Sequence, residues 1–271
     1  MRILMIGDVV GSAGRAVINA ELPRLRERLK TDFVVINGEN AAHGFGITGN
    51  ICETLYQSGA DCVTTGNHVF DQRDIISHMD RDDKVIRPIN YPSGTPGKGF
   101  GIYTSAGDKR VLVVNAMCRL FMELLDDPFQ AMQALLERYK LKRDVDVILV
   151  DLHGEASSEK QCMAHYLDGR VTAVVGSHTH VPTADTWVLP GGTAYQTDLG
   201  MTGDYDSVIG MKKEGAVGRF ISKGERIRLE PATEDGTMCG SYIITDDKTG
   251  LAKSIQPLRI GAHLPKAMPK P

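Results

Sequence analysis

Val174-Val175-Gly176-Ser177-His178-Thr179-His180 is the stretch on which the reading of the fold turns. The β-branched run from Val171 to Val175 reads as a buried strand, and Gly176-Ser177 as the break that ends it. Two imidazoles one residue apart then leave the strand end, where a loop lets them aim at two neighbouring metal ions. Alone, a His-x-His is more often a solvated loop than a site. Four other expected strands end in the same manner, at Gly7-Asp8, Gly38-Glu39-Asn40, Gly66-Asn67-His68 and Leu152-His153-Gly154. Oxygen and imidazole donors gathered at strand ends suit a two-metal hydrolytic centre.

Outward from that stretch, residues 2–6, 33–36 and 62–65 read as strands. Each is followed by a helical pattern, at 15–30, 50–58 and 71–79. Pro23 inside the first helix leaves a kink or a late start open. This alternation argues for parallel strands with helices outside them. Residues 89–97 are turn-rich, and 99–104 with 110–115 read as a hairpin about Ala106-Gly107-Asp108. A helix at 128–139, a strand at 145–150 and a helix at 157–167 lead back to the His178 strand. Beyond Pro182 helical periodicity fades, and strands are expected at 187–189, 193–197, 226–231, 239–245 and 254–260. The tail 265–271 is expected to fray. No composition break or internal repeat divides the chain, so residues 1–271 read as one domain. The expected fold is a two-sheet α/β sandwich, parallel early and mixed or antiparallel late.

Length and composition narrow the class. A chain of 271 residues with 42% apolar and 24% charged residues has ample material for a core. A net charge of -3 provides no electrostatic footprint for long nucleic acid. No apolar run reaches the roughly 20 residues of a membrane span, and the first six residues are too short for a signal-peptide core. A cytoplasmic protein is the expectation. Five scattered cysteines without Cys-x-x-Cys argue against a disulfide framework and against a structural zinc site.

In parallel α/β sheets, ligands bind beyond the carboxyl ends of the strands. Asp8, Glu39, Asn40, Asn67, His68, His153, His178 and His180 all stand at such ends. Each alone has a bland reading: Asp8 and Asn67 as turn or capping residues, Glu39 as an exposed charge, His153 as a satisfied core histidine. Five strand ends carrying ligand-type residues together is the informative observation. His78, His165 and His263 lack this placement and read as surface or packing residues; His43 lies beside the site but not as a ligand. Gly44-Phe45-Gly46-Ile47-Thr48-Gly49 fits G-x-G-x-x-G, yet Gly44 lies eight positions beyond Ile36, too slack for the tight dinucleotide turn. A flexible loop flanking the site is the better reading, and no P-loop motif is present.

The order of these blocks resembles the calcineurin-like metallophosphoesterases, whose pattern is D-x-H, G-D, G-N-H-[DE], a lone His, then G-H-x-H. The likeness runs from residue 7 to residue 180. Val10 replaces the first His, Glu39 the bridging Asp, Val69 the acid after Gly-Asn-His, and Ser177 a glycine. These departures are similar to the bacterial YmdB-like branch, described as cyclic-nucleotide phosphodiesterases with a dinuclear iron-type site. The stretch Gly203 to Gly210 also resembles it. The resemblance implies an α/β/β/α sandwich. It implies one metal held by Asp8, Glu39, Asn40 and His180, and another by Glu39, Asn67, His153 and His178. Glu39 would bridge, two transition-metal ions (Fe or Mn) would be the cofactors, and His68 would be the general acid.

By the same resemblance a hydroxide bridging the metals attacks phosphorus, and a 2',3'- or 3',5'-cyclic nucleotide is the substrate. A phosphomonoesterase or a non-catalytic metal-binding regulator are the competing readings. No substrate-binding residue stands out: Phe45, Phe70, Tyr91 and Phe100 are candidates to stack on a base but read better as packing, and Arg87 and Arg119 suit a phosphate or ribose contact and a surface salt bridge equally. Whether the chain acts as a homo-oligomer is not fixed by the sequence.

Overall fold

On β1 (Arg2–Ile6) the side chains alternate between two cores, and that alternation sets the layers. In the computed structural model, which describes residues 1–222 and 227–271, Ile3 and Met5 face a core between two sheets. Leu4 and Ile6 face helices on the other side. β2 (Phe33–Asn37) repeats the pattern, with Phe33 and Val35 inward and Val34 and Ile36 toward the helices. Strands buried on both faces read as continuous apolar runs, as these do.

The first sheet sets β1 parallel to β2, and β2 parallel to β3 (Cys62–Thr64). Its late strands are antiparallel: β11 (Gly236–Thr245) runs against β1 and carries both β10 (Gly203–Asp204) and β12 (Ala252–Gly261). Helices α1 (Gly11–Leu29), α2 (Gly49–Ser58) and α3 (Asp74–Met79) accompany this sheet. Ile18, Leu22, Leu25 and Leu29 of α1 and Cys52 and Leu55 of α2 pack on its outer face.

The second sheet has the order β4 (Phe100–Thr104), β5 (Arg110–Met117), β6 (Val147–His153), β7 (Ala173–Ser177), β9 (Ala194–Gln196) and β8 (Trp187–Val188). It is parallel from β5 to β9 and antiparallel at both edges. Helices α4 (Pro128–Arg138) and α5 (Ser157–Leu167) cover it, with Met132, Leu135, Leu136, Met163 and Leu167 in the contact. The layers are therefore helix, sheet, sheet, helix: the expected sandwich, parallel early and antiparallel late.

Several element boundaries differ from the sequence expectation. Helix α1 starts at Gly11 and continues through Pro23. Helix α3 starts at Asp74, three residues late. Strand β7 runs on through Gly176 and Ser177, and β6 through Asp151 to His153, because β6 and β7 keep pairing as far as His153 and Ser177. A helix not expected beyond Pro182, α6 (Lys213–Ile221), is present. Ala216, Val217, Phe220 and Ile221 stand at helical spacing, but of these only Ala216 is buried, so the apolar stripe of this helix lies mostly exposed instead of against the core. Of the strand expected at 226–231, Arg226 lies outside the described residues. The remainder makes one bridge, Pro231 to Met211. The tail is tied to β12 by an Arg259–Ala267 bridge and by Gln256 bonding both backbone groups of Lys270. Among the described residues no helix is long and apolar enough to cross a membrane. Cys52, Cys62, Cys118 and Cys239 are buried free thiols, and Cys162 is exposed.

Candidate metal centre and active site

The carboxyl ends of β1, β2, β3, β6 and β7 meet at one edge of the sandwich. Asp8 follows β1 in a turn where Gly7 passes Gly200 at backbone contact; a Cβ on Gly7 would lie 1.9 Å from the Gly200 carbonyl oxygen. Glu39 follows β2, its N–H donating to Asn37 Oδ1 at 3.1 Å. His153 ends β6. His178 (φ 106°) and His180 (φ 66°) follow β7 in the left-handed region, a strained choice for residues with a Cβ. The backbone there is fastened. Asp8 Oδ2 accepts the His178 N–H at 3.1 Å, and Asp198 Oδ2 accepts the Thr179 N–H at 3.0 Å.

All eight candidate residues are brought together. His153 Nε2 lies 3.1 Å from Glu39 Oε1, 3.0 Å from Asn67 Oδ1 and 3.1 Å from His178 Nδ1. His180 Nε2 lies 3.2 Å from Asn40 Oδ1, and its Nδ1 2.7 Å from the Ile209 carbonyl. Two sets of donors result, Glu39–His153–His178 and Asp8–Glu39–His180, the ligand atoms of each within 4.8 Å of one another. Glu39 belongs to both.

The chemistry of these donors fits two cations. Asp8 Oδ1 is buried without a hydrogen-bond partner, which is costly unless a positive charge meets it. Gly66 leaves open space between the groups: a Cβ there would stand 2.2 Å from Glu39 Oε2 and 2.4 Å from His153 Nε2. Carboxylate, amide oxygen and imidazole, without thiolate, is a set for hard or borderline metals such as Fe and Mn.

Among the protein groups alone, protons do what cations would do. Burial pulls His153 down, but the Glu39 carboxylate outweighs this and holds it at about 9. Burial pushes Glu39 up, and the charges of His153, His68 and His178 overcome this to bring it to about 2. Asp8 is raised by burial to about 6, and His178 is lowered by burial and by His153 to about 3. A buried cluster that demands positive charge between its acids is what a ligand set for cations looks like.

His68 belongs to neither set. Its backbone N–H donates to Glu39 Oε2 at 3.3 Å, and its Nδ1 lies 2.8 Å from Asp71 Oδ2. Val69, where the metallophosphoesterase pattern has an acid, is fully buried in the helix-side core. Asp71, two residues on, supplies the carboxylate that orients the His68 ring. Phe45, in the glycine loop, meets His68 edge-on with ring centroids 5.2 Å apart, so that loop flanks the site. Arg87 spends its guanidinium on the carbonyls of Pro88, Thr95 and Pro96, and Phe70 and Tyr91 pack on each other.

Sequence reasoning missed the support beneath the site. Lys160 of α5 is fully buried and donates to Asp198 Oδ2 at 2.9 Å and to the Ser177 carbonyl at 2.8 Å. The signal was present: Lys160, Met163, Ala164 and Leu167 share one buried helix face, and Asp198 follows a further parallel strand end.

An α/β/β/α sandwich carrying two carboxylate–imidazole donor sets at its strand ends is the architecture of the metallophosphoesterases. Within that class the chain belongs to the family described as YmdB-like protein, whose model matches residues 4–258. It is 45% identical over 260 residues to a Bacillus subtilis protein named 2',3'-cyclic-nucleotide 2'-phosphodiesterase, covering 96% of this chain and 97% of that one. A crystal structure of a hypothetical protein from Thermus thermophilus superposes with a TM-score of 0.89 at 41% identity, covering 96% and 99% of the two chains. A structure titled as a novel phosphatase, from Mycoplasma pneumoniae, superposes with a TM-score of 0.89 at 30% identity, covering 96% and 93%.

Proposed function

We propose that the whole chain is one catalytic domain, a dinuclear metal-dependent phosphodiesterase acting on 2',3'-cyclic nucleotides. The observation that carries the reading is Glu39, shared by two donor sets, with His68 beside both and part of neither. The nucleotide class follows the name of the Bacillus relative.

Asp8, Glu39, Asn40 and His180 would hold one ion, and Glu39, Asn67, His153 and His178 the other, with Fe or Mn suited to these donors. When bound, the ions supply positive charge against the phosphoryl oxygens and acidify water. The rest of the chemistry falls to protein groups. Glu39 keeps its carboxylate ionised at the centre. The left-handed corner at His178 to His180 holds both imidazoles toward it. As the bond from phosphorus to the water oxygen forms and the bond to the ribose oxygen breaks, His68 gives its proton to the departing oxygen, its ring held by Asp71 through Nδ1.

The test is elemental analysis of the purified protein together with turnover of bis-p-nitrophenyl phosphate, p-nitrophenyl phosphate and 2',3'-cyclic AMP under Mn²⁺ or Fe²⁺. Two ions per chain with faster cleavage of the diesters supports the reading. Faster monoester cleavage would move it to a phosphatase. Bound metal without turnover would leave a regulator, and no metal under any reconstitution would overturn the centre.

A further inference from the structure

Beneath the donor sets lies a second, fully buried polar network that the mechanism above does not use. Asp151 stands two residues before His153 on β6, and Ser177 is the last residue of β7. Ser177 Oγ lies 2.6 Å from Asp151 Oδ1 and 2.9 Å from His153 Nδ1. Asp151 Oδ2 accepts from Asn37 Nδ2 at 2.9 Å and from the Thr64 hydroxyl. Asn37 Nδ2 also reaches Ser177 Oγ at 3.2 Å, while Asn37 Oδ1 accepts the Glu39 N–H. All of these side chains are at most 3% exposed.

Burial pushes Asp151 up from the usual carboxylate range, while the Ser177 and Thr64 hydroxyls, His153 and Asn37 around it favour the ionised form. With Asp151 as a carboxylate it only accepts, so the single hydroxyl proton of Ser177 goes to Asp151. Ser177 Oγ then has lone pairs alone to offer, and the His153 Nδ1 beside it must be the donor. With the proton on Nδ1, the lone pair of neutral His153 is on Nε2, the atom that faces Glu39, Asn67 and His178. An outer hydrogen bond of this kind sets the tautomer and the ring orientation of a metal-binding histidine.

We propose that Ser177 and Asp151 form a positioning relay that presents His153 Nε2 to one of the two metal ions, and that the serine standing where the wider superfamily has glycine is what completes it. The inference rests on reading His153 as a ligand. It makes Ser177 a positioning residue, which touches neither substrate nor metal. It also predicts that the relay serves one ion and not the other: His180, on the opposite donor set, donates its outer hydrogen bond from Nδ1 to the Ile209 carbonyl instead.

The experiment is Mn²⁺ titration of chelator-stripped full-length protein, resolved into its two binding steps, for wild type, Ser177→Ala, Ser177→Thr and His153→Ala. Ser177→Ala is expected to weaken one step by about 10–100-fold and leave the other within about twofold. Ser177→Thr, which keeps the hydroxyl, is expected to restore most of that loss. In stripped protein at a pH where His153 is neutral, ¹⁵N-detected NMR is expected to show its proton on Nδ1 in wild type and a tautomer mixture in Ser177→Ala. Unchanged Mn²⁺ affinities and tautomer in Ser177→Ala would overturn the relay, as would equal weakening of both steps. Two ions retained by His153→Ala would instead show that the ligand reading itself is wrong.

Discussion

Replacing Lys160 by Met is the sharpest structural test of what holds the His178–His180 corner in its strained backbone. Both Lys160 and Asp198 have fully buried side chains, 2.9 Å apart. Met preserves length and removes the charge, leaving a buried carboxylate with two backbone N–H donors, from Thr179 and Gly200, and no countercharge. The Ser177 carbonyl also loses one of its two donors, keeping the Gly154 N–H. Breaking a buried pair on one side costs about 3–5 kcal/mol, which for a chain of this size is a melting shift of about 6–20 °C. Lys160→Met/Asp198→Asn removes the orphaned charge but leaves one backbone donor unmatched, so it should regain about 2 kcal/mol.

The pH dependence has a definite sign. Burial pushes Asp198 up, but the Lys160 ammonium and the backbone N–H groups hold it below the usual carboxylate range. A depressed carboxylate contributes stability that is present above the unfolded pKa and is lost as pH falls through the folded value. Without Lys160, burial raises Asp198, so the gap between wild type and Lys160→Met should be widest above that raised value and close as pH falls through the carboxylate range toward the depressed wild-type one. Urea unfolding of the stripped proteins followed by circular dichroism reads it. A loss below about 1 kcal/mol, or a double variant no more stable than the single one, would refute the assignment.

Glu39→Ala should lose both ions, since Glu39 is in both donor sets, whereas His180→Ala should keep one; elemental analysis separates the two. Gly66→Ala should fold but bind metal at least about 10-fold more weakly, because its Cβ would stand between Glu39 and His153; wild-type affinity would show the cradle to be unimportant. His68→Ala should keep both ions and lose about 10²–10⁴-fold in turnover of poor leaving groups, with little loss for nitrophenyl esters, and an equal loss for both would exclude a proton donor. Returning Mn²⁺ to stripped protein at 100 times its Kd should stabilise by about 2.7 kcal/mol per ion, and a melting temperature indifferent to Mn²⁺ would exclude a specific site.

Much of the fold was legible because its signals are local. Continuous apolar runs in Arg2–Ile6 and Phe33–Asn37, with turn glycines immediately after, identify strands and their ends from a handful of neighbouring residues. Ligand-type side chains at those ends pointed to the site before any contact was known. Helix α6 escaped although Ala216, Val217, Phe220 and Ile221 stand at helical spacing, because the segment is short and Gly215 and Gly218 lie inside it. Ser177 was visible as a departure from a motif, but not its work, since that depends on Asp151 and on His153 presenting a particular nitrogen.

The sequence by itself therefore determined which candidate side chains gather at one edge, because a parallel strand ends where its apolar run meets glycine, and such ends share one edge. Tertiary structure alone decided how those ends are used. Asn37 and Asp151 are 114 residues apart in the chain, and Lys160 finds Asp198 across the end of another strand. The left-handed turn at His178 and His180 is a strained backbone that local preference disfavours. It persists because backbone N–H groups within it are claimed by two buried carboxylates from elsewhere in the chain, Asp8 and Asp198.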